Sequence, residues 1–137
     1  MSAVIEVEVF GATLVPEAPS QADVRRLCLS ATAALGVDDG HLAIEYVGAD
    51  RIAALNDEYR GLPEPTDVLS FPIDGPDGRY PGAGPRELGD VVICPEHTAD
   101  LREAIVHGVL HLLGMDHETD DGEMLALQAR LLNEEAT

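Results

Sequence analysis

Eleven residues, His107-Gly108-Val109-Leu110-His111-Leu112-Leu113-Gly114-Met115-Asp116-His117, restrict the fold more than any other stretch of the chain. The segment reads as an apolar helix, and residues four apart on a helix share a face, so His107 and His111 present two imidazoles side by side. Gly114 can adopt the left-handed conformation that ends a helix. Met115 and Asp116 then suffice to turn the chain and aim His117 at the same point. Two histidines four apart are by themselves more often core or surface residues than ligands. The third histidine shifts the reading to a metal site. Three protein ligands plus an open position is the arrangement of catalytic zinc, whereas structural zinc is usually closed by four ligands, often cysteines.

The His-x3-His-x2-Gly-x2-His spacing is that of the metzincin zinc proteases, whose second motif residue is a glutamate general base. Gly108 takes that place here, and glycine cannot accept a proton. The block therefore predicts a metal centre while disfavouring peptide hydrolysis by the glutamate route.

A chain of 137 residues suits one domain, 1–137, with a core that needs no disulfide. The first ten residues alternate polar and apolar types and lack both a basic segment and a hydrophobic run. No later apolar stretch approaches a membrane span, which implies a soluble, cytoplasmic protein with no membrane partner. Cys28 and Cys94 fall in a helix and a strand and are expected to be buried free thiols. Charge limits the partners: 26 acidic residues face eight arginines and no lysine, a formal net charge of −18. Such a surface repels polyanions at long range and argues against nonspecific nucleic-acid binding. A divalent ion and a few arginines can still focus a small positive patch inside it.

Along the chain, Ile5, Val7 and Val9 alternate with glutamates and predict a strand over 3–10. Ser20 and Asp23 start a helix over 20–35, with Val24, Leu27, Cys28, Ala31 and Leu35 on its apolar face and Gly36 at its stop. Leu42, Ile44 and Tyr46 predict a second strand; Asp50 is expected to cap the next helix, which Gly61 ends. Val68 to Ile73 reads as a third strand. Residues 74–87, rich in glycine and proline, read as a mobile flap or a hairpin excursion bearing Arg79 and Arg86. Leu88 to Cys94 is expected as an inner fourth strand. Pro95 would open the histidine helix over 95–113, and an amphipathic helix over about 120–133 would close the fold. The expected architecture is α+β: a four-stranded mixed sheet with one core-facing side, packed by the helices at 20–35 and 95–113.

Three stretches together resemble the YbeY family of zinc-dependent endoribonucleases, in matching order and over nearly the whole chain. They are the histidine block; Asn56-x-x-Tyr59-Arg60 followed by Thr66-Asp67-Val68-Leu69-Ser70-Phe71-Pro72; and Leu88-Gly89-Asp90-Val91-Val92-Ile93. The resemblance implies an endonuclease of single-stranded RNA acting in ribosomal RNA maturation, chiefly at the 3′ end of the 16S RNA, and in ribosome quality control. It implies partners in the small ribosomal subunit and its assembly factors. The family's ligands for zinc, or another divalent metal, fall on His107, His111 and His117, and its functional arginine on Arg60. Met115 stands where the family commonly has tyrosine, and the stretch from Pro95 to Val106 is shorter than the family pattern.

Phosphodiester cleavage needs a nucleophile, neutralisation of charge on the phosphorus oxygens and help for the leaving oxygen. Arg60 can pair with phosphate through its planar fork. Asp116 is placed to act on a proton or to hold an imidazole. Asp67, Glu118 and Ser70 are expected to support a ligand or line the substrate groove, with Arg79 and Arg86 as further phosphate contacts. His41 and His97 are expected to be ordinary surface or packing residues. Two competing readings are a metal-dependent hydrolase of peptide or ester bonds and a non-enzymatic ribosome-associated module with a stabilising metal.

Overall fold

The computed structural model describes residues 5–73, 86–116 and 118–136. Strands β1 (Ile5–Phe10), β2 (Gly40–Tyr46), β3 (Val68–Pro72) and β4 (Glu87–Ile93) form one sheet in the order β1-β2-β4-β3. β1, β2 and β4 run parallel, and β3 lies antiparallel to β4 at the edge. With helices α1 (Gln21–Ala34), α2 (Ala49–Arg60), α3 (Leu101–Leu112) and α4 (Glu123–Ala136), this is the expected α+β arrangement on a mixed sheet. Among the described residues no helix is long and apolar enough to cross a membrane.

Local chemistry sets most boundaries. Ser20 caps α1 by accepting the Asp23 amide at 3.1 Å, as its sequence position predicts. At α2 the cap differs from expectation: Gly48 holds that position and Asp50 lies in the first turn, while Glu96 accepts the Ala49 amide at 3.2 Å. The expected continuous helix over 95–113 is also corrected. Pro95–His97 is a single 3-10 turn, the chain extends through Thr98, and α3 starts afresh at Leu101. Asp100 is the cause. Its Oδ1 accepts both the Arg102 and Glu103 amides, at 3.0 and 3.2 Å, a stronger start signal than a proline at a first turn. The closing helix likewise begins at Glu123, with the Asp120 carboxylate accepting the Gly122 and Met124 amides. Most of the expected flap, residues 74–85 with Arg79, lies outside the described residues, as do residues 3 and 4 of the first expected strand.

The sheet buries both faces rather than one. On the first, Leu42, Ile44, Val91 and Ile93 meet Leu27 and Cys28 of α1, Ile105 and Val109 of α3, and Met124 and Leu131 of α4. On the second, Ile52 and Leu55 of α2 cover Leu69, Val92 and Cys94. The consecutive apolar run Val91-Val92-Ile93 therefore serves two cores, because neighbouring residues on a strand point to opposite sides. α3 is the central helix: Ala104, Ile105, Val106, Val109, Leu110 and Leu112 are all buried, while His107 and His111 lie at its half-buried margin. Both cysteines are free and buried, and burial pushes the Cys28 thiol up to about 12.

Candidate metal centre

Two close approaches bring α3 onto the edge of the sheet. A Cβ added at Gly108 would come within 3.0 Å of Val91 Cγ1 and to 3.2 Å from Val68 Cγ2, so only glycine lets the helix sit this near β4 and β3. From β3, the Ser70 hydroxyl donates to the Gly108 carbonyl at 2.7 Å. The residue that removes the glutamate base is thus also the residue that seats the helix. Helix geometry then places His107 and His111 with ring centroids 4.7 Å apart and planes at 76°.

Each imidazole is held through Nδ1. His111 Nδ1 lies 2.9 Å from the Met115 carbonyl, which can only accept, so this nitrogen carries the proton. His107 Nδ1 donates to Gln128 Oε1 of α4 at 2.7 Å. In a neutral ring, a protonated Nδ1 leaves the lone pair on Nε2, the form that binds a metal. The Met115 carbonyl reaches His111 because the chain turns at Gly114, whose φ of 103° lies in the left-handed region. That part of the sequence expectation is met. His117, the third expected ligand, lies outside the described residues. Among the described residues no three His, Cys, Asp or Glu side chains gather as a metal-binding group. The two imidazoles, each oriented through Nδ1, nevertheless suit a borderline-soft divalent ion.

Both histidines open on a cavity of about 460 Å³, whose lining also includes Arg60, Asp67, Ser70, Asp116 and Glu118. Arg60 is the last residue of α2, released into the loop by Gly61, a C-cap with φ 71°. Its approach is set by neighbours that the sequence motif contains. The Tyr59 ring packs on Phe71 of β3 with centroids 4.8 Å apart, and buried Asn56 donates to the Glu64 carbonyl at 3.0 Å, tying down the loop toward Thr66. Arg60 is exposed, and among the described residues it forms no ion pair. Asp67 uses Oδ1 to accept the Val68 amide at 2.8 Å and the Thr66 hydroxyl at 3.2 Å. Asp116 Oδ1 accepts the Glu118 amide at 2.9 Å, a turn-forming bond that leaves its second oxygen for other work.

Arg86 does not join them. It is 5% exposed, and its guanidinium reaches the Asp39 carbonyl at 3.4 Å and the Asp39 carboxylate at 3.8 Å. It precedes β4 at the end opposite Ile93, the residue that pairs with Val68 beside the cavity, so the structure places Arg86 away from the cavity where a phosphate contact was expected. His41, expected to be an ordinary surface or packing residue, bridges Glu87 of β4 and Glu8 of β1 at 2.9 and 2.5 Å. Gln128 was missed, although a signal existed: it falls between Met124 and Leu131 on the buried seam of α4, where helical periodicity calls for an apolar side chain.

A family model described as Endoribonuclease YbeY matches residues 12–136. The endoribonuclease YbeY of Nocardia farcinica is 47% identical over 68% of this chain and 60% of its own length. That of Salinispora tropica is 44% identical over 72% and 76%, and that of Mycobacterium tuberculosis strain H37Rv 46% over 61% and 57%. The match thus spans about six-tenths of the Nocardia and Mycobacterium proteins. The solution structure of TM1509 from Thermotoga maritima superposes with a TM-score of 0.54 at 27% identity, covering 94% of this chain and 88% of that one. Since the matched range takes in α3 with its paired histidines and all of the cavity lining described above, the chain belongs to the endoribonuclease YbeY family.

Proposed function

We propose that this protein is a metal-dependent endoribonuclease that cuts single-stranded RNA in the cytoplasm. The observation that carries the reading is the cavity in which Arg60 of α2 shares a lining with the Nδ1-anchored pair His107 and His111 of α3. Zinc is the ion we assign, held by His107, His111 and His117 in a zincin-like manner. When bound there, it supplies Lewis acidity at a phosphate oxygen. Arg60 pairs with the non-bridging oxygens and offsets charge that grows on them. Asp116, with one oxygen engaged by the Glu118 amide, offers the other to the proton of the attacking hydroxyl. The Ser70 hydroxyl proton is already donated to the Gly108 carbonyl, so Ser70 shapes the groove, and we assign Asp67 to the groove beside it. The substrate we assign is ribosomal RNA, chiefly the 3′ end of the small-subunit RNA, with roles in its maturation and in ribosome quality control.

A protease reading is weakened further by packing, since a side chain at position 108 has no room against Val91. The test offers zinc-loaded protein a single-stranded RNA and a denatured peptide, with His111→Ala and Arg60→Ala alongside. RNA cleavage should vanish in His111→Ala and fall about 10²- to 10³-fold in Arg60→Ala. Cleavage persisting at full rate in both variants, or of the peptide alone, overturns the assignment. Product ends separate a water nucleophile, which leaves a simple monoester, from the RNA's own 2′-hydroxyl, which leaves a 2′,3′-cyclic phosphate.

A further inference from the structure

Gln128 belongs to the fourth helix and does not itself line the cavity shared by Arg60 and the two histidines. It is 8% exposed, among Met124 at 0% and Leu131 at 3% on the same helix face. A buried carboxamide in such a seam is costly unless it is hydrogen-bonded. Its Oε1 accepts from His107 Nδ1 at 2.7 Å.

The two possible amide orientations have opposite consequences. With Oε1 toward the ring, Nδ1 is protonated and Nε2 keeps its lone pair. With the NH2 group toward the ring, Nδ1 would become the acceptor and the proton would move to Nε2, which could then bind no metal. His111 receives the same service from a backbone carbonyl within its own turn, whereas His107 depends on a side chain 21 residues away. We propose that Gln128 is a positioning residue, which fixes the tautomer and ring plane of His107 for metal binding and so makes the docking of α4 part of the site. The inference rests on the metal reading above.

The neutrality of the glutamine matters as well. A carboxylate at 128 would also accept from Nδ1, but it would add a charge to a second cavity on the other side of His107, which Gln128 lines together with Asp67, Asp100 and Glu103. Glutamine supplies the acceptor without that charge.

The test measures zinc affinity by competition with a chromophoric chelator, and the cobalt(II) absorption spectrum, for wild type, Gln128→Leu and Gln128→Glu. Gln128→Leu should bind zinc about 10- to 100-fold more weakly. Its metal-free melting temperature should hold or rise, because leucine suits the apolar seam. Gln128→Glu restores an acceptor and should recover most of the affinity. In a His107→Ala background, Gln128→Leu should cost nothing further, because the residue acts through His107. Wild-type affinity and spectrum in Gln128→Leu, or no recovery in Gln128→Glu, overturns the inference alone. Failure of the wild type to bind zinc or cobalt overturns the metal reading and this inference with it.

Discussion

Replacing glycine by alanine inside a helix ordinarily stabilises a protein by about 1 kcal/mol, because alanine restricts the unfolded chain and favours helical geometry. Gly108→Ala should do the reverse. The new methyl would stand inside 3.0 Å of Val91 Cγ1, with Val91 Cγ2 at 3.3 Å and Val68 Cγ2 at 3.2 Å. Val91 is fully buried in an inner strand, and its branched side chain is stiff at χ1 and enclosed by the core, so it has little room to swing away. The helix must lift instead, at an overpacking cost of about 3 kcal/mol, the upper part of the usual range. After the propensity gain, the net loss is about 2 kcal/mol, or about 7 °C in melting temperature for a domain of this size. Scanning calorimetry of metal-free protein reads this directly. Val91→Ala should relieve the contact, so the double variant should lose less stability than the two single losses added. A Gly108→Ala protein that melts at or above the wild-type temperature would refute the close-packing argument.

Other perturbations probe separate parts of the fold. The Glu87 and Glu8 carboxylates can only accept, so both bonds form together only when the His41 ring carries two protons; the Glu87 bond raises its pKa above 6.5, burial opposes this, and Glu8 adds to it. Glu6 stands opposite His41 in the β1–β2 register. The stabilisation is therefore fully present below the unfolded value of 6.5 and lost as pH rises through the higher folded value. Urea midpoints of wild type and His41→Gln should differ at about pH 5.5 and converge by about pH 9; a constant difference refutes the charge argument. Asp100→Ala removes the acceptor for two amides at the start of α3 and should cost about 1 kcal/mol of unfolding free energy, read as a lowered urea midpoint at unchanged slope.

The parts of this architecture that show in the sequence are those governed by neighbours along the chain. The spacing of Val24, Leu27, Cys28 and Ala31 and the Ser20 cap define α1, and the four-residue interval of His107 and His111 places both imidazoles at one margin of α3. What was hidden depends on contacts between distant segments. The break between Pro95 and Leu101 needed Asp100 to outweigh a proline signal. Arg86 followed a glycine- and proline-rich stretch and read as surface, yet its carbonyl accepts the His41 amide at 2.7 Å and its side chain is buried beside Asp39. Burial of the second sheet face rests on α2 folding back over Val92, which no local pattern shows. Gly108 was legible as a missing carboxylate, but its role against Val91 emerges only when helix and strand are side by side.

The orienting bond on His111 comes from the main chain of Met115, and that has a consequence for how this site tolerates change. A backbone carbonyl is present whatever side chain follows it, so position 115 can drift among methionine, tyrosine and other residues without disturbing the imidazole it steers. Robustness at 115 is bought at its neighbour: Gly114, with φ of 103°, has no ready substitute. Zinc affinity across saturation mutagenesis of this turn should therefore vary little at 115 among side chains that keep its packing against the core, and sharply at 114. The contrast would mark a contact that is invisible to comparisons of side chains yet essential to the geometry of the ring.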